Sequence, residues 1–483
     1  MKKNLVSLVK RYFPISNKWF FEEVQKTRKA ETVQRTETRA VAAKVDALGK
    51  SVAGLRASTD AMAACLKGFS TATAASIKMV ENKVNNVRGV LDRMEDRQRY
   101  IVHMLEEKGG ATRLDALRLY FIEVTYKREF SFGSWPKRLH CCVMAESGGH
   151  RGWGEACIPL GKNTTEKAIE ITARAFEPWR GKSLDEARFL VECRRGRTID
   201  RVLEALDMAL VDLSARLKGV SALSYLGAVS KGTPDYAVPA LRCILQKDPS
   251  KAQELARVQA GSHLKLKLFG DNVHDYTLIK AVREVISKDC FLVGDVNMGY
   301  TPIADNEADL VKALSNLREA GLSACEDPAD LSWQGLENLQ KALPDLAIIP
   351  DEPMRPAYKL EKTIKPVSGH IYNLHPNCMG SISSTIALAK RLNAAGAGVM
   401  IGDSSLIGPG CAAWQQIACA VKARWCEALE KPEESSAFID CITRSPMETL
   451  PDGRRRIAKN LKGFGLEVDL ERLSAASCAI IDL

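Results

Sequence analysis

Four short apolar runs in this chain of 483 residues end in charged side chains: Lys265 and Lys267 in HLKLKLF, Asp295 in FLVGDVN, Glu326 in LSACEDP, and Asp351 with Glu352 in AIIPDE. The steps from Lys267 to Asp295, Glu326 and Asp351 are 28, 31 and 25 residues, each enough for one strand, one helix and their loops. In a parallel barrel of such units, the carboxyl ends of successive strands open into one mouth, so distant residues converge there. Three carboxylates facing one cavity repel each other unless a hard divalent cation lies between them. The expected occupant is magnesium, with manganese as the alternative and two lysines beside it.

Such a site suits removal of a proton next to a carboxylate. That proton is very weakly acidic, and its loss places a second negative charge on the carboxylate oxygens, which a divalent ion stabilises as an enediolate. In Lys265-Leu-Lys267 both lysines project from one strand face, because strand side chains alternate. Metal and Lys265 together favour the neutral form of Lys267, the form needed in a base. A lone KxK is more often a solvated strand face, and a lone acid at a strand end more often caps the next helix. The order and even spacing of all four motifs argue for the joint reading.

The stretch HLKLKLFGDN, GDVNMGYT, ACEDP and IPDE resembles the barrel of the enolase superfamily, on its muconate lactonizing enzyme and mandelate racemase side. Upstream, LRLYFIEVTYKREFSFGS, GGHRGWGEACIPL and TIDRVLEALDMALVDLSARLKG resemble that family's capping domain, and LPDGRRRIAKNLKGFGLEVDLERL its closing segment. The resemblance spans about residues 112 to 478. It implies that Asp295, Glu326 and Asp351 are the metal ligands, Lys267 the base and Lys265 its electrostatic helper. Asn297, Glu352, Asp403 and Ser404 flank these strand ends and are expected to support the ligands or touch the substrate.

Two departures bear on the reaction. The family's lactonising and dipeptide-epimerising members end their sixth strand in a second lysine, where GHIYNLHPNCMGSIS carries His375. A histidine exchanges protons near pH 7 without any shift, so acid-base competence survives the change. Asp403, 28 residues on at the end of AGAGVMIGDSS, is placed to hydrogen-bond that ring across adjacent strands and raise its pKa. A rim histidine and a helix-capping aspartate are the bland alternatives. The second departure is the lack of an acidic Asp-x-Asp motif after the seventh strand, which argues against a dipeptide substrate. In REFSFGSWPKRL, Trp135, Phe132 and Arg138 are candidates to line the pocket, with Arg138 meeting a substrate carboxylate. Gly152, Gly154 and Glu155 in RGWGEA read as a tight turn and cap packing rather than chemistry.

The first 110 residues differ in character. Val41, Val45, Leu48, Val52, Leu55, Met62, Leu66 and Phe69 recur at spacings of four and three, and the pattern resumes from Ile77 through Leu105. This is the seam of a coiled coil, with a stutter between Phe69 and Ile77. It predicts a helix of roughly 85 residues and ~130 Å, whose seam needs a partner, so a homo-oligomer is expected. Residues 1–110 carry 21 Lys and Arg against 12 Asp and Glu, which is +9 of the chain's net +10. The basic residues are interleaved with acids, and zinc-finger, RNA-binding and Walker signatures are missing, so no nucleic-acid partner is expected. LVSLV near the start is too short for a signal-peptide core and no run reaches 18 apolar residues; a weak membrane-surface contact through Leu5, Leu8, Phe13, Trp19 and Phe20 is the most the N-terminus suggests. The 14 cysteines show no CxxC framework and read as reduced thiols of a cytoplasmic protein.

The expected architecture is an α/β chain: a coiled-coil helix over 1–110, an α+β capping domain over 111–236, a modified TIM barrel, (β/α)7β, over 237–430, and a segment over 431–483 that returns to the cap. The expected function is magnesium-dependent abstraction of the proton alpha to the carboxylate of a small substrate. Racemisation or epimerisation, cycloisomerisation and dehydration all remain open, and His375 tilts the chemistry towards a lyase outcome. The rival is a non-catalytic coiled-coil scaffold with an enolase-like binding module.

Overall fold

The computed structural model describes residues 113–483, apart from 131–132, 230–235, 260–262, 362 and 368, together with the isolated Ala57. The expected coiled coil, its oligomer and the N-terminal membrane contact lie outside the described residues, as does Phe132. Two compact units are distinguished, one of residues 1–113 with 182–195 and one of residues 114–181 with 196–483. In the first, the helix Leu184–Arg194 opens on a capping box: Ser183 Oγ accepts from Glu186 N, and the Glu186 carboxylate accepts from Ser183 N. The barrel expected from the sequence, and the expected cap apart from residues 111–113 and 182–195, fall in the second unit. Among the described residues no helix is long and apolar enough to cross a membrane.

The cap is built on β1 (Ala116–Val124), β4 (Arg138–Ser147) and β5 (His150–Pro159), with the small hairpin β2 (Arg128–Phe130) and β3 (Gly133–Trp135) between them. The C-terminal strand Ala479–Asp482 completes this antiparallel sheet by pairing with β1, Leu119 opposite Ile481. The helix Asp200–Leu217 lies directly across β5. A Cβ at Gly152 would stand 2.2 Å from Ala209 O, and one at Gly154 would stand 1.9 Å from Ala205 O, so only glycine permits this approach. Glu155, on β5, accepts from Ile407 N, Gly408 N and Gly410 N (2.8, 3.1 and 3.0 Å), tying the cap to the loop after the seventh barrel strand.

The barrel strands are β6 (Leu241–Ile244), β7 (His263–Lys267), β8 (Leu292–Asp295), β9 (Ala324–Glu326), β10 (Ala347–Ile349), β11 (Ile371–Leu374) and β12 (Gly398–Ile401). Helices follow them, and Asp248, Asp271, Asn306, Ser332 and Ser381 each cap one by accepting from a first-turn N–H. Leu264 and Leu266 of β7 pack outward with Leu278, Leu317 and Leu336 of those helices, each such burial stabilising by about 1.5–3 kcal/mol. On the inside, Leu241, Val293, Ala324, Ile349, Ile371 and Met400, one from each of six strands, meet Trp425 in a second cluster.

The expected closed barrel is not continuously hydrogen-bonded. Strands β6 to β10 form one parallel sheet and β11 with β12 another. Asn373 N donates to Pro350 O (3.1 Å) at one seam, and the segment around Cys426 spans the other: Ile401 N to Trp425 O (3.2 Å), Glu427 N to Ile401 O (2.8 Å), Cys426 N to Pro239 O (2.9 Å) and Leu241 N to Cys426 O (2.9 Å). At the first seam Pro350 has no N–H to donate.

Candidate active site

Register places the chemistry. Lys267 pairs with Asp295, and Asp295 with Glu326, so the three stand in one row across β7, β8 and β9. Ile349 pairs with Glu326, which sets Asp351 just beyond the row. The turn carrying Asp351 is held by Asp327, whose carboxylate accepts from Asp351 N (2.9 Å) and Glu352 N (3.0 Å). Asp327 itself has φ 39°, and burial with the nearby Asp351 charge pushes its pKa up to about 7.

These ends open into a cavity of about 530 Å³. Lys265 Nζ lies 3.0 Å from Asp295 Oδ2, 3.0 Å from Glu326 Oε2 and 2.8 Å from Glu427 Oε2. It occupies the place between carboxylates that a cation would take. Lys267 Nζ donates to Asp295 and, at 3.0 Å, to Asn297 Oδ1. Burial is the largest influence on Lys267 and, with Lys265, lowers its pKa, but Asp295, Cys243 and Glu326 together raise it by more, so the group stands above its ordinary value. The expected neutral Lys267 is therefore not the form favoured in this arrangement, because Asp295 bonds to it directly.

The residues fit a divalent cation. Burial and the charges of Asp295, Asp351 and Glu427 hold the Glu326 carboxyl well above the usual range, against the opposing pull of Lys265. Asp351 pairs with Arg355 through one oxygen, while its Oδ1 is buried without a partner. The cavity wall carries seven carboxyl groups to five cationic side chains, and the upward shifts of Glu326 and Asp327 show acids crowded closely enough to hold protons where a cation would relieve them. Among the described residues no three histidine, cysteine or acidic side chains already stand as a metal cage, since Lys265 fills the space between three of the acids.

Other expectations are corrected. His375, one residue past β11, does not bond Asp403. Its Nδ1 lies 3.0 Å from Pro376 O and 3.2 Å from Ser404 Oγ. Burial pulls the His375 pKa down, despite Asp351, where the Asp403 pairing was expected to raise it. Asp403 is instead drawn to Lys431 (3.0 Å) and Arg128 (3.4 Å), and also accepts from Leu406 N (3.2 Å). Ser404 lines the cavity and bonds Pro376 O at 2.7 Å. Arg138 is not available to a substrate: it is fully buried, spent on Glu434 (2.8 Å) and Tyr126 O (3.1 Å), and absent from the cavity wall. Arg128 faces the cavity in its stead, clamped on Glu434 through Nε and Nη2. Trp135 and Glu352 line the cavity, Glu352 bonding Arg355 at 2.6 Å.

Glu427, Arg128, Arg355, Asp327 and Arg201 are site residues that sequence reasoning missed. Glu427 was within reach: it ends the apolar pair Trp425-Cys426, 24 residues after Asp403, in the rhythm of the other strand ends. Its N–H donates to Ile401 O at 2.8 Å, which fixes it beside β12.

Residues 249–473 match the family described as Enolase C-terminal domain-like. The N-succinylamino acid racemase of Thermus thermophilus is 26% identical over 310 residues, covering 62% of this chain and 80% of that protein. Among solved structures, the dipeptide epimerase of Cytophaga hutchinsonii, complexed with Mg and D-Ala-L-Val, aligns with a TM-score of 0.63 at 18% identity, covering 77% of this chain and 99% of that one. The muconate lactonizing enzyme of Pseudomonas fluorescens aligns with a TM-score of 0.60 at 19% identity, covering 76% and 100%. Residues 249–473 thus resemble the Enolase C-terminal domain-like family, in a chain that shares its fold with a dipeptide epimerase and a muconate lactonizing enzyme.

Proposed function

We propose that this chain is an isomerase in which Lys267 removes the proton next to the carboxylate of a small substrate, at a magnesium site formed by Asp295, Glu326 and Asp351. The observation that carries the reading is the strand register that sets Lys267, Asp295 and Glu326 in one row at the cavity. The sequence likeness to a racemase, and the fold shared with a magnesium-bound epimerase, favour inversion at the α-carbon over elimination.

A divalent ion bound to the three carboxylates would supply positive charge to the substrate carboxylate as its second negative charge develops. Asn297, which accepts from Lys267 Nζ, keeps that amine directed along the cavity. Lys265 balances Glu326 and Glu427 and places positive charge beside Lys267, which favours proton release once Asp295 is otherwise engaged. His375, half-buried and shifted towards its neutral form, is the candidate proton carrier on the other side. Arg128 and Trp135, from the cap hairpin, close the end of the cavity beside Asp403 and select the substrate.

The test is proton exchange in deuterated water with magnesium, on N-succinyl amino acids and dipeptides, followed by NMR and optical rotation. Loss of the α-proton signal with inversion is expected. Product formed without deuterium at the α-carbon contradicts the proposal, and a new vinyl signal would assign a lyase instead.

A further inference from the structure

Glu204 is a buried carboxylate that the proposed chemistry does not use. It lies on the helix Asp200–Leu217 with no exposed surface, yet both oxygens are occupied. Oε1 accepts from Asn377 N at 2.5 Å, and Oε2 from Met379 N at 2.9 Å and Gly380 N at 3.1 Å. These amides belong to the loop that begins at His375 and carries Cys378 on the cavity wall. The same loop is fixed a second time through Asn377, held at φ 63°, whose side chain accepts from Cys157 N (2.5 Å) and donates to Glu155 O (3.1 Å).

We propose that Glu204 is a positioning residue that clamps the His375–Gly380 loop, and that a proton taken up by its carboxyl opens the clamp. A carboxylate accepts on both oxygens, whereas a carboxylic acid keeps one oxygen as a hydroxyl and leaves at least one of the three N–H groups without its acceptor. The groups facing Glu204 leave its titration in the physiological range. Burial pushes it up, the three N–H bonds pull it back, and the outcome is about 7. From the loop it faces the Cys378 thiol, which burial pushes up to about 12 and which stays neutral. The helix Pro409–Ala420 presents the Trp414 indole. On its own helix, Arg201 is bonded to Cys157 O at 2.6 Å, Asp200 to the Tyr358 hydroxyl at 2.9 Å, and Asp207 accepts from Ile382 N at 2.9 Å.

Local and global effects run in opposite directions. Between the ordinary 4.5 and about 7 the folded protein keeps a proton that the unfolded chain gives up, so this residue's contribution to global stability falls as pH rises. Order in the loop grows over the same interval, because the carboxylate forms. A merely structural buried acid would not separate the two.

The test is amide hydrogen exchange of the full chain, corrected for intrinsic rates, read on peptides covering residues 375–381 at pH 6 and pH 8. Protection there should rise roughly tenfold or more towards pH 8, the value of one charge-assisted bond, while peptides covering β8 show no such rise. Glu204→Gln, which mimics the protonated group, should show the low-pH protection at both values. Loop protection that is the same at pH 6 and pH 8 in the natural protein overturns the clamp, as does a Gln variant equal to it at pH 8; if that variant does not fold, the pH series alone decides. The link to His375 rests on the proposed function. Exchange of the loop amides needs no substrate, so failure of the clamp and failure of the Lys267 chemistry are read separately.

Discussion

Lys267→Ala is expected to stop exchange of the substrate α-proton, while His375→Asn leaves one-sided exchange intact and blocks conversion. Lys267 lies in the row of Asp295 and Glu326 at the cavity, and His375 stands at the end of β11 beside Ser404. The two groups reach the substrate from different strands, so their losses differ in kind and not only in size. A positioned acid or base contributes on the order of 10² to 10⁴ in rate. Deuterium incorporation and turnover, measured on the same samples, separate the steps. Exchange retained in Lys267→Ala contradicts its role, and a His375→Asn protein with unchanged turnover makes that histidine a rim residue.

Asp295→Ala, Glu326→Ala and Asp351→Ala should each abolish the stabilisation of the protein by magnesium, because each leaves too few hard oxygen ligands. A pH dependence accompanies this. Glu326 without a metal is held well above its ordinary pKa, so protons compete with the ion and affinity grows as pH rises. The sign follows from linkage: an acid with a raised folded pKa contributes less stability as pH climbs from its unfolded value through its folded one. A bound cation removes that loss, so the magnesium-induced rise in melting temperature should be larger at high pH. Thermal melts with and without magnesium across pH 5.5 to 8.5 test this. A rise independent of pH, or one retained in any two of the three variants, contradicts the ligand assignment.

The four charged strand ends were readable because two simple rules fix them: alternation along a strand and a repeat of one strand and one helix. Lys265 and Lys267 share a face because Leu264 and Leu266 must face the helices. What could not be read is which partner captures a side chain from far away in sequence. Asp403 sits next to the right strand for His375, yet Lys431 and Arg128 reach it from later and earlier segments. The choice between Arg128 and Arg138 likewise turns on Glu434, 306 and 296 residues away, which bonds both and leaves only Arg128 of the two on the cavity wall. The seams of the barrel were not readable either, because one rests on a single bond from Asn373 N to Pro350 O and the other on the short segment around Cys426.

The most direct measurement is a crystal structure grown with manganese, with anomalous scattering recorded to locate the ion. A single peak bonded to oxygens of Asp295, Glu326 and Asp351, at the roughly 2.0–2.2 Å expected for a small hard cation, with Lys265 Nζ withdrawn from Asp295 and kept on Glu427, is the predicted result. A peak at other residues, or none while Lys265 still bridges Asp295, Glu326 and Glu427, would contradict the account.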